Sequence, residues 1–80
     1  MARRRVRLFF SSNLITEPIV YLMGRQFEVV TNIRGGEIVA DSGWLYIEVS
    51  GEDDEIDRAL EWAIEQGVRV DPVEGDIIAG

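Results

Sequence analysis

The chain contains no cysteine, no histidine and no lysine. Without cysteine it has no disulfides and no thiolate metal ligands. Without histidine it lacks the commonest metal ligand and the commonest general base. No apolar run approaches the ~18 residues of a membrane span, so no membrane insertion is expected. Val6 to Phe10, which follow the basic Arg3, Arg4 and Arg5, are too few and too charged for the core of a signal peptide, which points to a cytoplasmic protein. Positive charge is also scarce: the formal net charge is −7, which argues against nucleic acid and anionic membranes as partners.

What remains is 46% hydrophobic and 29% charged, the composition of an ordinary globular protein, and 80 residues suffice for one small domain over 1–80. The charge is uneven. Arg3, Arg4, Arg5 and Arg7 open the chain, whereas from Glu37 onward acids greatly outnumber Arg58 and Arg69. Such asymmetry suits either a solvated face or pairing of the first strand with an acidic partner.

Val6, Leu8 and Phe10 alternate with Arg5, Arg7 and Phe9 at the period of a strand, broken at Ser11-Ser12-Asn13. Thr16-Glu17-Pro18 then offers a helix N-cap, an early acid and a first-turn proline, and Ile19, Leu22 and Met23 continue at helical spacing to about Gln26. Phe27 to Ile33 is β-branched and aromatic, a second strand stopped or bulged at Gly35-Gly36. After the turn Asp41-Ser42-Gly43, a third strand runs from Trp44 to Val49 and forms a hairpin with the second. Ile56, Ala59, Leu60, Ala63 and Ile64 make the apolar stripe of a second helix that ends at Gly67. The acids Glu52 to Glu55 at its start complement the helix dipole and are not read as a metal site. Val68 and Val70 mark a short last strand, and about 72–80 reads as a partly ordered tail.

The order βαββαβ with right-handed crossovers predicts an α+β, ferredoxin-like two-layer sandwich: a four-stranded antiparallel sheet, order 4-1-3-2, with both helices on one face. Val6, Leu8, Val29, Ile33, Leu45, Ile47, Ile56, Leu60 and Ile64 should be buried between the layers. Alternation then gathers Phe9, Trp44 and Tyr46 on the open face, as an interface or as partial burial beneath a loop or the tail.

Over nearly its whole length the sequence resembles the NIL domain, the C-terminal regulatory domain of the ATPase subunit of methionine-import transporters. The resemblance rests on Arg5-Val6-Arg7-Leu8-Phe9-Phe10, Glu17-Pro18-Ile19, Gly24-Arg25-Gln26-Phe27, Asn32-Ile33, Gly43-Trp44 and Glu65-Gln66-Gly67-Val68-Arg69-Val70. It implies a free-standing small-molecule sensing module, its ligand an amino acid such as methionine, that acts as a homodimer or docks on a transporter or sulfur-metabolism protein. Asn32 matches the motif asparagine and is the first choice for ligand contact; otherwise it satisfies backbone groups near the glycines. Ile33, Arg34, Gly35 and Gly36 complete the candidate site, with backbone amides offered to a carboxylate. Arg34 stands where the family usually has leucine, and a cation there would change the ligand or abolish the pocket. No phosphate-binding glycine loop with its lysine is present, so the chain is not expected to be the ATPase itself. An attached iron–sulfur module is excluded by the missing cysteines, and no cofactor is expected.

Two other classes compete. RNA-recognition modules share the fold and carry aromatics on the same face, loosely echoed by Gly43-Trp44-Leu45-Tyr46-Ile47 and Leu8-Phe9-Phe10, but Glu48 and the net charge disfavour RNA. A ligand-free association module fits the same aromatics. An enzyme is not expected, because no nucleophile–base pair is present.

Overall fold

The computed structural model describes residues 1–14 and 17–73. Four strands and two helices follow the expected order: β1 (Ala2–Phe10), α1 (Ile19–Gln26), β2 (Val29–Ile38), β3 (Gly43–Gly51), α2 (Asp53–Glu65) and β4 (Arg69–Pro72). All neighbouring strands are antiparallel, and the sheet order is β2-β3-β1-β4, the expected order read from the opposite edge.

The period of two along the strands sends Val6, Leu8 and Phe10 of β1 and Ile47 and Val49 of β3 to one face. There they meet Ile19 and Met23 of α1 and Ile56, Ala59, Leu60 and Ala63 of α2. Leu8, Met23, Ile47, Ile56, Val6 and Val49 are the largest fully buried side chains. Each contributes roughly 1.5–3 kcal/mol by leaving water, so the layer contact dominates the stability of this fold.

Both helix ends have identifiable causes. α1 starts at Ile19, two residues later than the expected Glu17: the Pro18 carbonyl accepts the Leu22 N–H at 2.9 Å and so takes the N-cap position. Thr16, the expected cap, lies outside the described residues. α2 carries Asp53, Asp54 and Glu55 in its first turn, where the unpaired N–H groups favour negative charge. It ends as expected at Gly67, whose φ of 102° lets the Val68 N–H reach back to the Ala63 carbonyl at 3.1 Å.

Of the two alternatives at the glycines the bulge is the one observed: β2 continues beyond Ile33 to Ile38, passing them through a bulge between Ile33 and Gly35. Two expected burials are corrected. Ile33 shares the helix-side face with Ile47, yet it is 57% exposed. It lies on an edge strand, where only the start of β2, at Val29, reaches the core. Ile64 is likewise exposed, because it sits at the margin of the stripe centred on Ile56, Ala59 and Ala63. Leu45 is partly buried against the core, while Val6, Leu8, Val29, Ile47, Ile56 and Leu60 are buried as expected. β4 takes in Pro72, and the Val73 N–H donates to the Arg5 carbonyl at 3.1 Å; the remainder of the expected tail lies outside the described residues.

Candidate functional site

β2 pairs with β3 along one side and forms an edge of the sheet on the other. Its register places Asn32 opposite Glu48, Ile33 opposite Ile47, Gly35 opposite Tyr46 and Gly36 opposite Leu45, so Arg34 falls in the bulge. Arg34 takes the same open face as Asn32, toward Glu48, and the extra residue shifts the phase that follows, so that Gly35 rather than Gly36 stands opposite Tyr46. Gly36 is required: its φ is 151°, and a Cβ there would lie 2.5 Å from the Trp44 carbonyl oxygen and 2.8 Å from Leu45 Cδ2. Gly35 has open space around it.

The five candidate residues Asn32, Ile33, Arg34, Gly35 and Gly36 are thus contiguous and exposed, but they do not share one face. Asn32 and Arg34 belong to the open face and Ile33 to the helix side. The Asn32 side chain makes no hydrogen bond among the described residues.

Glu48, which strand alternation places on the open face with Trp44 and Tyr46, organises this region. It is 8% exposed although it lies on the open face. The Arg5 Nε donates to its Oε2 at 3.2 Å, and an Arg34 guanidinium nitrogen lies 3.8 Å from the same oxygen. A carboxylate on a central strand, with an arginine opposite it on the neighbouring strand, was the signal available for this pairing. Burial of an anion is tolerated only with such partners.

Phe9, Trp44 and Tyr46 do gather on the open face: Phe9 is opposite Trp44, and Tyr46 is opposite Arg7. All three are half-buried, and arginines lie over two of them. The Arg7 guanidinium is 5.8 Å from the Trp44 ring centroid, and that of Arg69 is 4.9 Å from the Phe9 ring.

Two clefts border α1 on the other side of the sheet. One, of about 160 Å³, is apolar and includes Phe10, Pro18, Ile19, Ile38 and Leu45. The other, of about 400 Å³, includes Val20, Tyr21, Gly24, Arg25 and Thr31. None of the five candidate residues lines either, whereas Glu17, Pro18, Ile19, Gly24 and Arg25, which belong to the motifs quoted above, do. A sequence reading sees those residues as helix punctuation because a cleft between helix and sheet edge has no linear signature.

The acids at the start of α2 are engaged in ion pairs. Arg4 reaches Asp57 at 2.7 Å and Asp53 at 3.5 Å. Arg58 Nε donates to Glu55 at 2.7 Å, and the other Glu55 oxygen accepts the Glu28 N–H at 2.7 Å. That backbone hydrogen bond, reinforced by Arg58, holds the Glu55 carboxyl below the usual carboxylate range. Among the described residues no group of three or more acids could hold a metal ion, and no helix is long and apolar enough to cross a membrane.

The family model that describes the NIL domain matches residues 4–72. The chain belongs to the NIL domain family. The NIL domain is a regulatory, not a catalytic, domain. This NIL domain is similar to the methionine import ATP-binding protein MetN 1 of Bacillus cereus, 37% identical over an alignment of 70 residues that covers 82% of the chain. It is also similar to the methionine import ATP-binding protein MetN of Helicobacter hepaticus, 33% identical over an alignment of 69 residues that covers 81% of the chain. In both cases the match spans 20% of the relative's own length. The fold is similar to the crystal structure of the C-terminal domain of an ABC transporter ATP-binding protein from Enterococcus faecalis. The TM-score is 0.78 at 27% identity, covering 88% of this chain and 82% of that one.

Proposed function

We propose that this NIL domain is a cytoplasmic, non-catalytic sensing module for an amino acid, with methionine the first candidate. It acts as a homodimer or docked on a transporter or sulfur-metabolism enzyme. The observation that carries the reading is the edge of β2, where the unengaged Asn32 amide lies beside Arg34 and the bulged Gly35-Gly36 backbone. Asn32 offers both donors and an acceptor, Arg34 a guanidinium, and the glycine backbone N–H groups that no side chain shields. Together they suit the carboxylate and ammonium of an amino acid.

Support for dimerisation at this edge comes from its exposed apolar side chains. Val30, Ile33, Ile38 and Val39 are each more than half exposed, on or just beyond a ten-residue strand with one side unpaired. Such an edge is a template for another strand, and pairing two copies there would bring two Asn32 side chains near one seam. MetN is named for methionine import in the relatives above, which is why methionine leads the candidates.

A second reading places the ligand's apolar side chain in the cleft of about 160 Å³ by Pro18, Ile19 and Ile38, whose walls are mainly hydrophobic. Calorimetry with methionine on the parent, Asn32→Ala and Ile38→Arg separates the two. Loss of binding in Asn32→Ala alone supports the β2 edge; loss in Ile38→Arg alone supports the cleft. No heat with any amino acid leaves a ligand-free association module.

A further inference from the structure

The two faces of the molecule carry opposite charge, a partition that the amino-acid site does not use. Within the strands, the open face displays Arg3, Arg5, Arg7, Arg34 and Arg69, five of the eight arginines, against the carboxylates of Glu37, Glu48 and Asp71. On the opposite side, α2 carries six acids and one arginine. A chain of net charge −7 therefore keeps one positive surface, and at its centre stand Phe9, Trp44 and Tyr46.

The arginines of that surface differ in how far they are committed. Arg5 and Arg34 share Glu48, and Arg69 pairs with Asp71 at 2.8 Å. Arg3 and Arg7 make no ion pair among the described residues, and Arg7 only overhangs the Trp44 ring. A guanidinium resting on an indole keeps its hydrogen-bond donors directed outward, because the attraction to the ring uses its flat face.

We propose that the open sheet face docks an acidic segment of a partner protein, with apolar side chains interspersed among its carboxylates. Arg3 and Arg7 take the carboxylates, and the rings of Phe9, Trp44 and Tyr46 take the apolar side chains. An aromatic centre with a charged rim is the usual anatomy of an association surface, and complementary charge sets which partner is admitted. Nucleic acid fits less well, since Glu48, Glu37 and Asp71 stand among the arginines and the whole chain repels a polyphosphate at long range. A second copy stacked face to face would set two positive faces against each other. One docked through its acidic α2 would leave an open-ended chain of subunits.

The test uses the whole chain and a fluorescently labelled, soluble peptide alternating glutamate with leucine, with a glutamate–serine peptide and polyuridylate as comparisons. The glutamate–leucine peptide should bind more tightly than the other two and lose affinity as salt is raised. Arg7→Glu should weaken it about ten-fold or more, and Arg3→Glu should weaken it also. Trp44→Ser should reduce the glutamate–leucine affinity toward that of glutamate–serine, and Arg58→Glu on α2 should change nothing. Melting curves by circular dichroism establish that each variant is folded. Failure of both peptides to bind at low salt, equal loss in Arg58→Glu, or tighter binding of polyuridylate would overturn the proposal. So would a parent dimer that Arg7→Glu dissociates, which would give the face to a second copy.

Discussion

The Glu55 carboxylate accepts the backbone N–H of Glu28 at 2.7 Å, which ties the first turn of α2 to the entrance of β2. A side chain thereby caps a strand donor that lies just before the first β2–β3 pair, Val29 and Gly51. Because the folded state holds this carboxyl below its ordinary value of 4.5, the folded protein binds fewer protons at Glu55 than the unfolded chain does. The contribution is present above that value and is lost as pH falls through the lowered folded value. The melting temperature should thus fall on acidification below about pH 4.5, and Glu55→Gln should flatten that part of the profile. An unchanged acid limb in Glu55→Gln would show that the contact is not formed in solution.

Ile47 and Ile33 sit opposite each other on the same face but differ in burial, 0% against 57% exposed. Ile47→Ala should cost about 2–5 kcal/mol, whereas Ile33→Ala should stay within about 0.5 kcal/mol. Urea unfolding of both variants checks the pair. Equal losses would mean that the helices cover more of β2 than its start at Val29.

The two glycines of the bulge should respond differently. Gly36→Ala meets the Trp44 carbonyl and Leu45 and should lower the melting temperature clearly. Gly35→Ala meets open space and should be neutral or slightly stabilising, since alanine restricts the unfolded chain. A neutral Gly36→Ala would place the bulge elsewhere in β2.

Removing the Glu48 charge should loosen the open face. Glu48→Gln leaves Arg5 and Arg34 without their shared carboxylate, and because both arginines keep 40–45% of their side-chain surface in solvent the cost should be nearer the ~1 kcal/mol of surface pairs than that of a buried one. A double-mutant cycle with Arg5→Gln measures the coupling directly. Zero coupling would assign the burial of Glu48 to packing alone.

Much of this was legible in the residues. Alternation in Val6-Leu8-Phe10 and Leu45-Ile47-Val49, and the stripe from Ile56 to Ala63, determine the layer contact. The βαββαβ order with right-handed crossovers then leaves little choice of topology. What escaped the reading depends on where coverage ends. Ile33 and Ile64 have the right period for burial and lie at margins that a one-dimensional pattern does not mark. The glycines left a stop and a bulge equally open, and the pairing with Leu45 and Tyr46 decides for the bulge and carries β2 on to Ile38. At the candidate site, Asn32 was found by resemblance, while the partnership of Glu48 with Arg5 and Arg34 needed the register.

Binding of an amino acid at the β2 edge through Asn32 is measured by isothermal titration of methionine into the parent and into Asn32→Ala. Saturable heat is expected for the parent at millimolar ligand, with affinity lower by about ten-fold or more in Asn32→Ala and the melting curve unchanged. Equal affinity in the two proteins would contradict it.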